Sequence, residues 1–175
     1  MKILLTAQQI EQTLNRLLEE ITAQLSDDVE MVIVGIRSRG EILAQRLCKK
    51  LSQRLGETIP CGTLDITLYR DDLNDPKSTT QPRVRSTEIP FDIDDKIVLL
   101  VDDVLYTGRS VRAAMDALTD IGRPRAVRLA VLVDRGCREL PIGCDFSGLS
   151  VNIAPGQVVR VFLEETDGRD EVIVE

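Results

Sequence analysis

The stretch VLLVDDVLYTGRSVRAAMDAL, residues 98–118, leads from an apolar run through a polar loop into a helical pattern. The apolar run at residues 97–101 predicts a buried strand. Between strand and helix stand two adjacent carboxylates, Asp102 and Asp103, and a loop that contains Gly108. A strand followed in this way by a helix is typical of α/β proteins. The helix is predicted from apolar side chains at the spacing of one helix face: Val111, Ala114, Met115, Leu118 and Ile121.

The rest of the sequence continues this alternation. Periodic apolar residues predict a first helix over residues 7–25, behind a capping box that begins at Thr6, and a second helix that Gly56 ends. Strands are predicted at residues 31–35, 62–69, 126–133, 157–163 and 171–174. Residues 70–90 hold three prolines and no apolar period, which is typical of a lid. We therefore expect one α/β domain, residues 1–175, with a mostly parallel sheet flanked by helices.

Composition excludes several classes of protein. The chain has 175 residues, of which 43% are hydrophobic and 29% charged, as in a globular domain. There is no histidine, so no mechanism can use an imidazole base, and the four cysteines form no CxxC pair. No apolar run approaches the ~20 residues of a membrane span, and we expect a cytoplasmic protein that contacts no membrane. The net charge of −7 argues against a surface that binds nucleic acid throughout.

The stretch at residues 98–118 suggests what the site binds. Ligands of parallel sheets lie beyond the carboxyl ends of the strands, where we expect Asp102 and Asp103 to face solvent. The loop that follows offers hydroxyl groups at Thr107 and Ser110, and its amides meet a helix N-terminus, which favours phosphate. The carboxylates would repel a phosphate, but they can accept hydrogen bonds from two ribose hydroxyls, directly or while positioning Mg²⁺. These features predict a ribose 5-phosphate group. The alternative is an Asp pair that merely caps a helix.

The same block closely resembles the 5-phosphoribosyl 1-diphosphate (PRPP) signature of type I phosphoribosyltransferases. TLYRDD at residues 67–72 and VDRGCRELPI at residues 133–142 resemble the PyrR family, whose members regulate pyrimidine operons by attenuation and act as uracil phosphoribosyltransferases. The resemblance implies a type I phosphoribosyltransferase fold, PRPP and uracil as substrates, UMP and diphosphate as products, Mg²⁺ bound with PRPP, and a homo-oligomer. The PRPP-binding residues it implies are Asp102, Asp103, Val104, Leu105, Tyr106, Thr107, Gly108, Arg109 and Ser110.

The resemblance also places a second anion site at residues 36–40. There it implies diphosphate binding by Arg37, Ser38 and Arg39, a cis peptide between Ile36 and Arg37, and a catalytic role for Arg39 beside Asp102 and Asp103. The lid at residues 70–90 becomes a hood that excludes water and brings in a cation from Arg70, Lys77, Arg83 or Arg85. Arg83 and Arg85 are both candidates for contact with the diphosphate. The alternatives are solvated arginines and a flexible surface loop.

For the base, the resemblance implies contacts from Arg135, Phe146, Ser147 and Val159. Phe146 would be the aromatic platform on which the base stacks; the alternative is that Phe146 is a core residue.

A rival interpretation is a UMP-sensing regulator that binds RNA and has only vestigial catalysis. Basic residues at Arg123, Arg125, Arg128, Arg135 and Arg138 favour it. Against it, the sequence departs from the family on the surface that would hold RNA, at Cys137, Gly143, Leu149 and residues 152–153. We therefore predict that uracil phosphoribosyltransferase activity is present, while RNA binding is weak or needs an altered recognition surface. A purine phosphoribosyltransferase is a third possibility, which the block at residues 133–142 disfavours.

Overall fold

A computed structural model describes residues 2–25, 29–72 and 86–175. The strands are β1 (Lys2–Thr6), β2 (Met31–Ile36), β3 (Cys61–Leu64), β4 (Ile97–Leu105), β5 (Ala126–Asp134), β6 (Phe146–Ser150), β7 (Val159–Phe162) and β8 (Glu171–Val174). The helices are α1 (Ala7–Ala23), α2 (Arg39–Leu55), α3 (Arg109–Ile121) and the short α4 (Glu164–Asp167), with a 3₁₀ turn at Thr67–Tyr69.

Five parallel strands form the central sheet in the order β3-β2-β4-β5-β6. Successive strand residues point to opposite faces. Ile33 therefore packs with residues of α1 and α2, whereas Val34 packs with residues of α3. All six residues of β2 are buried, as expected for a central strand of a parallel sheet. The sheet thus carries α1 and α2 on one face and α3 on the other, which confirms the predicted fold class.

The predicted helix ends are close to the observed ones. Thr6 and Gln9 form the reciprocal capping box of α1, which ends at Ala23, two residues before the predicted end. Gly56 closes α2 with φ 72°, a left-handed conformation that glycine adopts without the steric cost of a side chain. None of the helices in the described ranges is long and apolar enough to cross a membrane.

The prediction that the first element is a helix is wrong, because β1 precedes α1. This strand pairs antiparallel with β8, and β8 pairs with β7, so the two ends of the chain build a second, three-stranded sheet. The strand has only five residues, and its partner lies at the other end of the sequence. Its pairing is therefore long-range, and local sequence patterns do not predict it.

Two strands, β3 and β4, end several residues away from their predicted ends, and a third strand, β6, lies where none was predicted. The strand predicted over residues 62–69 ends at Leu64, since Asp65 Oδ1 accepts the N–H of Thr67 (2.9 Å) and turns the chain into the 3₁₀ helix. β4 continues to Leu105, so Asp102 and Asp103 lie within the strand and not after it.

Candidate functional site

The candidate site lies at the carboxyl ends of β2 and β4. These strands are neighbours in the sheet, and the helices that follow them, α2 and α3, pack on opposite faces. In parallel sheets such a reversal opens a crevice between the two following loops. The crevice here is bordered by residues 37–40 and by residues 102–110.

Asp102 and Asp103 are less exposed than their sequence position suggested. Asp102 is only 8% exposed and its Oδ1 accepts the N–H of Asp103 (2.9 Å), while Asp103 Oδ1 accepts the N–H of Val104 (2.8 Å). Burial raises the pKa of both carboxyls, and the charge of Asp103 raises the pKa of Asp102 further. The expectation that both carboxylates face solvent is therefore wrong for Asp102, because it lies in the strand. Two adjacent carboxylates, one buried and one partly buried, favour hydroxyl donors or a cation as partners.

Gly40 brings the two loops together. A methyl group at this position would lie 2.5 Å from the carbonyl oxygen of Val101 and 3.1 Å from Oδ1 of Asp102. Only a residue without a side chain lets α2 approach β4 so closely. The N-terminus of α2 is thereby placed beside the carboxylate pair.

The loop after β4 forms a phosphate-sized cradle. A cavity of about 110 Å³ is lined by Val104, Leu105, Tyr106, Thr107, Gly108, Ser110 and Val111. Gly108 precedes α3 with φ 93°, a conformation that favours glycine. Gly108 has no side chain that could cap the start of α3, although the hydroxyl of Thr107 accepts the N–H of Arg109 (3.3 Å). The N–H groups that follow Arg109 can bind an anion. Arg109 lies at the mouth but is bound to Asp71 and Glu139.

Residues 135–142 support this loop from behind. The carbonyl of Thr107 accepts the N–H groups of Glu139 (3.0 Å) and Leu140 (3.1 Å). The guanidinium of Arg138 binds Asp134 Oδ2 (2.6 Å), the carbonyl of Tyr106 (3.0 Å) and the carbonyl of Ile142 (2.9 Å). Arg138 was predicted only as part of a basic surface. Its spacing of four residues from Asp134 was the one signal in the sequence for this internal role.

The loop after β2, which was predicted to bind diphosphate, has its cis peptide between Arg37 and Ser38, so the prediction for Ile36 and Arg37 is wrong by one residue. The N–H of Arg37 still donates to the carbonyl of Leu64 (3.0 Å), which keeps the preceding peptide in the extended ladder between β2 and β3. Ser38 precedes α2, and its side chain makes no hydrogen bond that caps the helix. The N–H groups at the start of α2 are therefore not capped by Ser38 and can bind an anion.

The two arginines of this loop have different surroundings. Arg37 binds Thr63 Oγ1 (3.1 Å) and forms ion pairs with Glu41 (3.2 Å) and Glu88 (3.4 Å). Both Nη atoms of Arg37 are thus engaged by the protein, and its Nε is buried without a hydrogen-bond partner among the described residues. Arg39 has one carboxylate partner, Asp167 (3.0 Å), and its charge lowers the pKa of Asp103. Arg39 is therefore the better placed of the two to bind a ligand at the carboxylate pair.

Only the two ends of the hood lie within the described ranges; Lys77, Arg83 and Arg85 fall outside them. At the first end, Arg70 is bound by Asp72, and Asp71 pairs with Arg109 of α3 (2.5 Å). At the second end, Glu88 and Thr63 exchange two backbone hydrogen bonds of 2.8 Å. Both ends are thus attached close to the candidate site.

The residues predicted to bind the base do not come together. Phe146 is 3% exposed and Val159 is 8% exposed, and both pack in the core beside α1, so Phe146 is not a stacking platform. Ser147 pairs with Val131 inside the sheet, three residues before the carboxyl end of β6. Arg135 does lie at the carboxyl edge, where its guanidinium stacks over the ring of Tyr106 at 3.9 Å and donates to the carbonyl of Gln157 (3.1 Å). The half-exposed Tyr106 is an aromatic surface that sequence reasoning assigned only to PRPP.

The donor set fits a Mg²⁺ ion that arrives with its substrate. Within the described ranges, no group of three or more His, Cys, Asp or Glu side chains could hold a metal ion. Mg²⁺ is commonly bound through one or two carboxylates together with substrate phosphates and water. Asp102 and Asp103 supply two carboxylates whose pKa values are raised chiefly by burial, and a bound cation would favour their charged forms.

Comparison with known proteins identifies the family. A phosphoribosyl transferase domain model matches residues 1–166. The bifunctional protein PyrR of Deinococcus radiodurans is 51% identical over 169 residues, which cover 97% of this chain and 91% of that protein. The protein of the same name from Limosilactobacillus fermentum is 50% identical over 166 residues, covering 95% of this chain and 93% of its own.

Solved structures agree in fold. The hypoxanthine phosphoribosyltransferase of Trypanosoma cruzi superimposes with a TM-score of 0.70 at 18% identity, over 99% of this chain and 95% of that one. At this identity the likeness shows the fold alone, and it confirms the predicted type I phosphoribosyltransferase fold. By its domain and by its identity to curated relatives over nearly the whole length, the chain belongs to the PyrR family of phosphoribosyltransferases.

Proposed function

We propose that this protein is a uracil phosphoribosyltransferase of PyrR type, which converts uracil and PRPP to UMP and diphosphate. One observation carries the proposal: a carboxylate pair, of which Asp102 is buried and Asp103 partly buried, lies between two helix starts, those of α2 and α3, that lack a side-chain cap from the preceding residue. Each helix start suits an anion, and the carboxylates suit the ribose between them. A ribose that carries a 5-phosphate and a diphosphate has this distribution of groups.

In the reaction, the bond between C1 of the ribose and the diphosphate oxygen breaks with its electron pair leaving on the diphosphate. A bond from C1 to the ring nitrogen of uracil forms, and the proton of that nitrogen is released to the diphosphate. The transition state resembles an oxocarbenium ion, as in glycoside chemistry. The negative charge of Asp102 and Asp103 stabilises positive charge on the ribose, while Arg39 and the amides at the start of α2 stabilise the departing diphosphate. Such catalysis is electrostatic and uses no histidine, in agreement with the composition.

Mg²⁺ bound with PRPP would be held by Asp102 and Asp103 and would neutralise charge on the diphosphate. For the base, we propose the surface of Tyr106 with Arg135 behind it, together with the backbone at residues 134–137. The ring is 44% exposed and is fixed by the guanidinium, so it offers a rigid face for stacking.

The test compares uracil, hypoxanthine and guanine as acceptors of the phosphoribosyl group from PRPP, with UMP, IMP and GMP measured separately. We expect UMP from the wild-type protein and little IMP or GMP. Formation of IMP or GMP at a rate above that of UMP would replace this proposal by a purine phosphoribosyltransferase.

A role in regulating pyrimidine genes follows from the family, and RNA is the partner that this role implies. Of the basic residues predicted to favour RNA, Arg135 is buried and Arg138 is bound within the protein, so neither can readily neutralise an RNA phosphate. Arg123, Arg125 and Arg128 remain exposed. Since affinity for RNA depends largely on neutralised phosphates, we keep the prediction of weak binding.

The leader RNA of the chain's own pyrimidine genes can be titrated at physiological salt, with and without UMP. We expect weak binding with little dependence on sequence. Nanomolar, sequence-selective binding that UMP strengthens would contradict this expectation and make regulation the principal function.

A further inference from the structure

Two arginines on α2 hold the segment that contains α4. Arg46 lies two turns after Arg39 and binds both oxygens of Glu165 and both oxygens of Asp170, with four hydrogen bonds of 2.6 to 2.9 Å. This double bidentate contact is the stronger form of arginine–carboxylate pairing. Arg46 therefore attaches the segment to α2 at two carboxylates, independently of Arg39.

Arg39 is held more loosely. It contacts Asp167 through Nη2 alone, at 3.0 and 3.3 Å from the two carboxylate oxygens. Its Nε is buried and has no hydrogen-bond partner among the described residues. A guanidinium carries five N–H donors in a planar fork, so this contact leaves donors of Arg39 for another acceptor.

Asp167 is fixed independently of Arg39. Its Oδ2 accepts the N–H of Leu163 (2.9 Å) and the hydroxyl of Thr166 (2.8 Å). The backbone hydrogen bond from Leu163 holds the pKa of this carboxyl below its usual range, so it is ionised at neutral pH. The Asp167 carboxylate is thus held in place by its own segment, and it can hold the guanidinium at the end of the flexible Arg39 side chain.

We propose that Asp167 is a positioning residue for the proposed reaction: it holds Arg39 in place beside Asp103, with donors of the guanidinium directed to the diphosphate of PRPP. Ordering the flexible side chain of Arg39 costs conformational entropy. If Asp167 already holds this side chain in the free protein, PRPP binding does not have to order it. Asp167 would act only through Arg39 and would not touch the substrate. The inference rests on the proposed function of the carboxylate pair.

The test is Asp167→Asn. The asparagine oxygen can still accept the bonds from Leu163 and Thr166, so the turn is kept while the charge that holds Arg39 is lost. We expect the KM for PRPP to rise about tenfold, as for loss of a charge-assisted hydrogen bond. The KM for uracil should stay within about twofold and kcat should change less than KM for PRPP.

Glu165→Gln is the matched control. It weakens the neighbouring clamp in the same short helix, while Arg46 keeps Asp170 and Arg39 keeps Asp167. This change should lower stability slightly and leave the KM for PRPP unchanged. A rise in KM equal to that of Asp167→Asn would show a merely structural role and overturn the inference.

A double-mutant cycle sharpens the test. In an Arg39→Gln background, Asp167→Asn should have no further effect on the affinity for diphosphate, measured by calorimetry without uracil. Additive effects, or unchanged affinity in the single variant, would overturn the inference. Calorimetry with diphosphate alone needs no base, so it tests the role of Asp167 whether or not the protein makes UMP. Failure to make UMP would refute only the proposed function.

Discussion

The start of α1 differs from the starts of α2 and α3. At α1, Thr6 Oγ1 accepts the N–H of Gln9 (3.4 Å) and Gln9 Oε1 accepts the N–H of Thr6 (2.9 Å), so side chains satisfy the first amides. At α2 the preceding residue is Ser38, whose hydroxyl does not cap the helix. At α3 it is Gly108, which has no side chain, and the hydroxyl of Thr107 accepts only the first N–H, that of Arg109 (3.3 Å). A closed start stabilises the fold, whereas an open start leaves donors for an anion.

The largest expected effect comes from the carboxylates between the two open starts. Asp102→Asn and Asp103→Asn should each lower kcat/KM for PRPP by about 10²-fold, roughly 2.7 kcal/mol of transition-state stabilisation. The reason is the loss of negative charge beside the developing oxocarbenium ion. Steady-state kinetics with uracil measures the loss, and Asp116→Asn, a change of an exposed carboxylate on α3, is the control. Wild-type activity in both variants would show that the site is elsewhere.

Asp102→Asn should also stabilise the protein in the absence of PRPP. Burial raises the pKa of Asp102, so the folded state holds a proton that the unfolded state releases above pH of about 4. Stability contributed by this carboxyl is therefore present at low pH and lost as pH rises toward its folded pKa. Tm recorded from pH 4 to 8 should fall less for Asp102→Asn than for the wild type. Parallel Tm curves would contradict the raised pKa.

An open start needs support from other parts of the protein, and Arg138 provides it for α3. Arg138→Gln should raise the KM for PRPP about tenfold and lower the free energy of unfolding by about 2 kcal/mol, the cost of losing hydrogen bonds from a charged donor. Arg128→Gln, which removes an exposed guanidinium 3.8 Å from Asp145, should change neither quantity. Kinetics and urea denaturation test both variants. An unchanged KM for Arg138→Gln would mean that the loop keeps its shape without this side chain.

The smallest expected effects separate the two kinds of helix start directly. Thr6→Ala should lower the free energy of unfolding by about 1 kcal/mol, since it removes a helix cap, and leave the KM for PRPP unchanged. Ser38→Ala should leave stability within about 0.5 kcal/mol, because this hydroxyl caps nothing in the free protein, and raise the KM for PRPP. Denaturation and kinetics on both variants suffice. The reverse pattern would refute the distinction.

Local sequence predicted what depends on local chemistry. Asp102, Asp103 and Gly108 follow one another within a few residues, and strand, loop and helix each have their own pattern, so the central unit was predictable. Phe146 shows the limit: its residue type allowed either a platform or a core position, and only packing against α1 decides for the core. Asp167 meets Arg39 across 128 positions of sequence, a contact without a local signal. The pairing of β1 with β8 was missed for the same reason.

The two hydrogen bonds that the carbonyl of Thr107 accepts have a thermodynamic consequence. They join the cradle for the 5-phosphate to Glu139 and Leu140, which closely follow the segment proposed to meet the base, residues 134–137. If a bound sugar phosphate orders the cradle, it also orders the segment at residues 134–137. A base that then binds loses less conformational entropy, so its affinity is higher. Linkage then requires the base to strengthen binding of the sugar phosphate by the same factor. Ribose 5-phosphate and uracil, titrated singly and together, would measure that factor from both sides.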